Sequence, residues 1–204
     1  MPENFLQIQK DYLEKVWTRA SQDLEESLPA RFQDGCFYFQ AFGEPCELYP
    51  REILLGGQPL TGPEGILITL YALHVQKEEP QLRSLKSFKQ FPGGMGYQAT
   101  FVTSAEKILH PYIPAIQQHQ QKLIDRFSGH FNPDVRTCDF SFTLYPLPRV
   151  ALYYIFDLPD KEFPASVTCL FPSNATNFLP VAGLADVAEY TAKKIIELVS
   201  EGKS

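Results

Sequence analysis

The stretch that most limits what this chain can fold into is TCDFSFTLYPLPRVALYYIFD, from Thr137 to Asp157. Two runs rich in aromatic and β-branched residues flank Pro146-Leu147-Pro148. Such side chains suit a pleated, half-buried surface, and the prolines interrupt the run where the chain must reverse. The pattern predicts an antiparallel hairpin. ASVTCLF, from Ala165 to Phe171, reads as a further strand, as does the aromatic run in GCFYFQAFGEP after Gly35. CELYP and REILL add two short ones.

Helical periodicity surrounds these strands. From Glu3 to Leu28, apolar residues recur every three or four positions at Phe5, Ile8, Tyr12, Val16, Ala20, Leu24 and Leu28. TGPEGILITLYALHVQ opens with a helix start signal in which Thr61 caps, Pro63 suits the first turn and Glu64 completes a capping box. Its body, Ile66 to Val75, is apolar nearly all round and belongs in the interior. Further helices are expected over Tyr97–Leu109, Tyr112–Phe127 and Pro180–Ser200, with Gly129 stopping the second. His74 reads as a hydrogen-bonded structural residue and His119 as exposed.

Strands that cluster rather than alternate with helices indicate an α+β fold: a largely antiparallel sheet of four to six strands packed with three to five helices. The length of 204 residues fits one domain over 1–204, with the N-terminal helix at about 3–28 and a core at about 35–199.

A net charge of −6 disfavours nucleic acid and anionic membrane as partners, since both need basic patches. The N-terminus is charged and amphipathic, without a signal-type apolar run. The long uncharged segment from Ala165 to Ala185 carries Pro172 and Pro180 and is not a membrane span. The expected setting is the cytoplasm. Cys36, Cys46, Cys138 and Cys169 show no CxxC spacing and no nearby histidine, so they read as buried thiols and no metal ligand set is assigned.

FPGGMGYQATF, from Phe91 to Phe101, is the first candidate site. Gly93, Gly94 and Gly96 followed by Tyr97 match neither GxGxxG nor a phosphate-binding P-loop, and no lysine follows. The turn reading has a proline–glycine reversal with positive φ at one glycine or more; the binding reading has backbone amides forming an anion nest. The second candidate is FDLPDKEFPA, where Asp157, Asp160 and Glu162 cluster after a strand and Asp139 opens the strand before it. Dense carboxylates at strand ends can bind a hard cation or act as an acid–base pair. Alternatively, Asp160 forms an Asx turn and Phe163 anchors the loop in the core. Arg149 either reaches an anionic ligand or pairs internally with Asp157 or Glu162, the internal pair being favoured. FYFQAF can also serve as a stacking platform for single-stranded nucleic acid, but Glu44 and Glu47 stand where a basic groove is needed.

YPREILLGG, ILITLYALHVQ, LKSFKQFPGGMGYQATF, LPRVALYYIFDLPDKEFPASVTCLF and NFLP occur in this order. Together they resemble the prokaryotic domain of unknown function number 3786, from about Gly35 to Val199. The glycine turn and the LPR to DKEFPA segment are the most specific parts. The resemblance implies no activity. Some members of that family are joined to iron–sulfur or corrinoid-associated modules, which implies accessory work beside a cofactor, although this chain lacks the cysteines of such a module. The functional expectation is a non-catalytic binding or accessory protein for a cofactor-bearing partner or a small ligand, held between the glycine turn and the acidic loop. The alternative is an enzyme using Asp157, Asp160 and Glu162, with a hard metal ion as an option. No particular cofactor follows from either.

Overall fold

The computed structural model describes residues 2–19, 21–132 and 138–200. The N-terminal periodicity yields two helices, α1 (Pro2–Val16) and α2 (Ser21–Ser27), rather than one over 3–28. Ala20, in the middle of the expected apolar series, lies outside the described residues, as does Thr137. Tertiary contacts make the corner between the helices. Trp17 donates its indole N–H to the Tyr49 carbonyl and packs on Phe32 and Phe37. Arg19 bonds the Ala72 and Val75 carbonyls and the Asp23 carboxylate.

Five short strands follow: β1 (Arg31–Gln33), β2 (Cys36–Ala41), β3 (Glu44–Leu48), β4 (Ile53–Leu55) and β5 (Gln58–Pro59). Each pairs antiparallel with its neighbour in sequence. Three of the four connections are two-residue turns with positive φ at both positions, namely Asp34-Gly35, Phe42-Gly43 and Gly56-Gly57. That conformation matches the twist of the flanking strands. The buried Phe42 adopts it without glycine's freedom, held by its N–H donating to the Pro146 carbonyl at 2.6 Å.

Helix α3 (Pro63–His74) starts at Gly62, one residue later than a Thr61 cap requires, and no side chain caps it. Its Leu67, Ile68, Tyr71 and Ala72 are buried, as the apolar run demands. After β6 (Leu85–Ser87) and the glycine turn, the chain winds through Gly94–Tyr112 as an irregular helix. This contains α4 (Gln98–Phe101) and a widened π turn at Val102–Glu106. Then come α5 (Ile113–Gln118) and α6 (Gln120–Arg126). At the end of α6, Ser128 rather than glycine takes the left-handed conformation, and Gly129 N–H closes on the Ile124 carbonyl. Glycine is needed one residue later because a Cβ there would strike the Thr143 carbonyl.

β7 (His130–Phe131), β8 (Phe140–Leu147), β9 (Val150–Asp157) and β10 (Ser166–Pro172) build the second sheet, in the order β6-β10-β9-β8-β7 and antiparallel throughout. The expected hairpin is β8–β9. Its turn is Pro148-Arg149, and Pro146 sits at a register shift inside β8, which frees its carbonyl for Phe42. So the described residues form two five-stranded sheets where one was expected. The early strands pair only locally and do not join the hairpin.

Helix α7 (Val181–Ser200) occupies the expected Pro180–Ser200 segment and buries Leu184, Val187, Ala188, Thr191, Ile195 and Val199 along one face. One apolar cluster contains residues of both sheets and of the helices packed on them. Within it, Phe88, Phe91, Phe101 and Phe171 pack ring against ring, each worth about 1.5–3 kcal/mol on burial. Phe37, Phe39 and Phe42 are buried too, so FYFQAF offers no stacking platform.

Candidate functional site

The acidic loop joins β9 to β10. Asp157, at the end of β9, accepts the Ser166 hydroxyl at 2.8 Å. Asp139 accepts the Leu158 N–H at 2.6 Å. Asp160 accepts the N–H groups of Glu162 and Phe163, both at 2.7 Å. These amides hold its carboxyl below the ordinary range, Phe163's contributing most. This is the Asx turn. Phe163 does not anchor the loop in the core: it is 67% exposed, because the tight Asp160–Phe163 reversal turns the ring outward.

Asp139, Asp157 and Asp160 share an open cleft of about 680 Å³ with Cys138, Leu158, Phe163, Pro164 and Ser166. Glu162 does not line it. Burial pushes the Cys138 thiol up, and the carboxylates of Asp157 and Asp139 push it further, so the sulfur is protonated at neutral pH. Among the described residues, no group of three or more histidine, cysteine, aspartate or glutamate side chains is placed to hold a metal ion.

The glycine turn stands elsewhere. Pro92 and Gly93 form its corners, Gly93 has φ +86°, and Gly94 N–H closes it on the Phe91 carbonyl at 2.9 Å. A Cβ on Gly94 would collide with the Phe88 carbonyl, whereas one on Gly96 meets open space. Phe88 and Phe91 fasten the turn to Phe171, near the end of β10 remote from the acidic loop. The cleft over that loop contains no residue of the turn. Met95 and Tyr97 project from it, 71% and 56% exposed.

Arg149 meets neither Asp157 nor Glu162. It occupies the opposite end of β9, whose eight residues span about 25 Å. There it is buried and bonds the Ser27, Glu26 and Glu78 carbonyls and the Glu79 carboxylate. It thus closes the C-terminus of α2, as Arg19 closes that of α3.

Two acidic residues outside the expected set prove important. Glu79 is the charge partner of Arg149. Glu106, on the π turn, accepts the Cys169 N–H at 2.9 Å. Strand β6 ends where Ser87 pairs Leu170, so this carboxylate continues the edge of the sheet past the departing strand. Burial raises its carboxyl and, with Glu106 nearby, holds the Cys169 thiol protonated. Beside them the buried Tyr154 hydroxyl faces the Cys169 thiol. No local pattern signals Glu106; only the π turn in space does, and such turns recur at functional sites.

Two antiparallel sheets, a helix-rich flank and a carboxylate-lined cleft define an α+β protein without a metal cluster among its described residues. The match that places it is to the family Domain of unknown function (DUF3786), over residues 21–194. The chain belongs to that family. No curated protein and no solved structure matches it. Among the described residues no helix is long and apolar enough to cross a membrane.

Proposed function

We propose that the chain is a non-catalytic binding protein that docks on a protein partner through its glycine turn. The observation that carries this reading is the exposure of Met95 and Tyr97 on a backbone fixed from below by Phe88 and Phe91. Methionine and tyrosine are enriched at recognition surfaces, and a preordered turn loses little freedom on binding. The family resemblance suggests a partner that carries a cofactor. The thiols, not joined by disulfides, suit a reducing compartment such as the cytoplasm.

The test places a photo-crosslinking side chain at position 95, at 97 and, as a control, at the exposed Gln121, in the source organism. One protein crosslinked from 95 and 97 but not from 121 is expected. Once purified, it should bind the wild-type chain and lose at least about tenfold in affinity to Met95→Ser/Tyr97→Ser. Equal crosslinking at all three positions, or unchanged affinity for the variant, refutes the reading.

One observation favours the enzyme alternative: Asp157 and Asp160 do line a common cleft. With Asp160 held ionised by its amides, the acid would have to be Asp157 or Asp139. NMR titration of the carboxyl carbons decides, since a general acid there requires one of the two to titrate above about pH 6.

A further inference from the structure

A second cleft, of about 580 Å³, opens at the Arg149 end of the hairpin, lined by Pro29, Gln40, Glu79, Pro80, Leu82, Ser128, Tyr145 and Pro148. Glu79 is the charged member of this set. Its side chain is 83% exposed, while that of its partner Arg149 is 8% exposed. Glu79 therefore stands between the cleft and a buried cation.

We infer that this cleft is a binding site for an oxyanion, a carboxylate or a phosphate, with Arg149 as its cation and Glu79 as the internal group that fills it. A buried guanidinium needs a negative partner, because its desolvation is costly otherwise. Here that partner is drawn from solvent, on the loop between α3 and β6, rather than from the packed interior. A guanidinium has five N–H groups. One on Nε, two on Nη1 and one on Nη2 are engaged. Arg149 itself does not line the cleft, and of its four partners only Glu79 does; the other three are backbone carbonyls that hold the guanidinium in place. An incoming oxyanion takes the Glu79 contact and the remaining Nη2 hydrogen together, as a bidentate pair.

The rest of the lining suits the same ligand. Gln40, Ser128 and Tyr145 bring neutral donors. Burial pushes the Tyr145 phenol up, so it remains a donor at physiological pH. Ser128 is presented at φ +51° by the end of α6. Pro29, Pro80, Leu82 and Pro148 give apolar walls beside the contact. The loop bearing Glu79 is held by Arg149 through the Glu78 carbonyl and by further contacts that do not involve the Glu79 carboxylate. Asn174 bonds the Gln81 N–H and the Glu79 carbonyl, and Ser173 bonds Gln81. The Glu79 side chain can thus leave while its backbone stays.

This inference is separate from the docking reading, which concerns the other end of β10. Its test is anion rescue. Glu79→Ala should lower Tm, since Arg149 loses its charge partner. Inorganic phosphate or succinate should then restore it in a saturable way, by about 3–6 °C at ten times the dissociation constant. Sodium chloride at equal ionic strength should not. The two probes tell the phosphate source from the carboxylate source. Rescue should coincide with a shift of the Arg149 Nε–H resonance, and Tyr145→Phe added to Glu79→Ala should weaken it several-fold. Wild type should respond less, because Glu79 competes. Equal stabilisation of wild type and variant, or rescue by neither anion, overturns the proposal.

Discussion

The two ends of the β8–β9 hairpin carry opposite charges and use them in opposite ways. At the turn, Arg149 is buried and ties three segments distant in sequence: α2, the Glu78-Glu79 loop and the hairpin itself. At the open end, among the described residues, Asp157, Asp160 and Asp139 bond only near neighbours in the sheet and its connecting loop. The cation is a long-range fastener; the carboxylates are local stiffeners. A charge pattern in sequence does not distinguish these roles, because they depend on what packs above each end.

The largest expected effect follows at the fastener. Arg149→Met removes the donors to the carbonyls of Glu26, Ser27 and Glu78 and leaves them facing an apolar side chain. At about 1 kcal/mol or more for each stranded carbonyl, urea denaturation should register a loss of roughly 3 kcal/mol. A loss below about 1 kcal/mol would break the contrast and make Arg149 a surface charge in effect.

Glu106 is a carboxylate that acts as a long-range fastener, and it sharpens the rule. Glu106→Ala leaves the Cys169 N–H without its acceptor and should cost about 1–2 kcal/mol. Glu106→Gln keeps the acceptor and cannot ionise. Burial raises the Glu106 carboxyl, so the folded chain binds that proton more tightly than the unfolded chain. The stability this brings is full at low pH and is lost as pH rises past the ordinary carboxylate range and through the raised folded value. Glu106→Gln should therefore exceed wild type in Tm at pH 7–8, by about 2 °C or less given its partial exposure. The gap should close toward pH 4. A gap that widens on acidification contradicts the buried-carboxylate account.

Local chemistry was legible in the sequence, and long-range chemistry was not. The aromatic runs announced β8 and β9, the three-and-four spacing announced α7, and the proline–glycine pair announced the turn at Gly93. Asp34-Gly35 also carried a hairpin signal that identifies β1, a strand absent from the expectation. The corner at Trp17–Arg19 was hidden because Tyr49, Ala72 and Val75, which hold it, lie far along the chain. Gly129 was read as a helix stop by its conformational freedom, yet it is glycine for want of space beside Thr143. Of the proposed site residues, Asp157 and Asp160 share a cleft, while Glu162, Arg149 and the glycine turn lie outside it. Spacing in sequence placed Arg149 eight residues from Asp157 without stating that a strand holds them apart.

At the acidic end the effects should be local. Asp160→Ala removes the acceptor for two amides, so hydrogen exchange at Glu162 and Phe163 should quicken by about tenfold with Tm unmoved. The Asp160 carboxyl is held below the ordinary range. Its contribution is therefore present at neutral pH and lost as pH falls below that range, through the lowered folded value. Wild-type protection of these amides, corrected for intrinsic rates, should fall to the variant's level only once pH has dropped below the ordinary aspartate range and through the lowered folded value. Protection that persists there would mean something other than the carboxylate holds the loop.

The smallest expected effect is the most discriminating for the contrast itself. If the acidic loop is stiffened only by its own hydrogen bonds, Phe163 contributes nothing inward, and Phe163→Ser should change stability by no more than about 0.5 kcal/mol. If the ring instead folds back against the sheet in solution, the loop is built from the inside, as the Arg149 end is. The same substitution would then approach the cost of a core phenylalanine, about 3 kcal/mol or more. Urea denaturation separates the two outcomes cleanly. A small change leaves the exposed Phe163, like Met95 and Tyr97, as a large apolar side chain whose place at the surface owes nothing to folding.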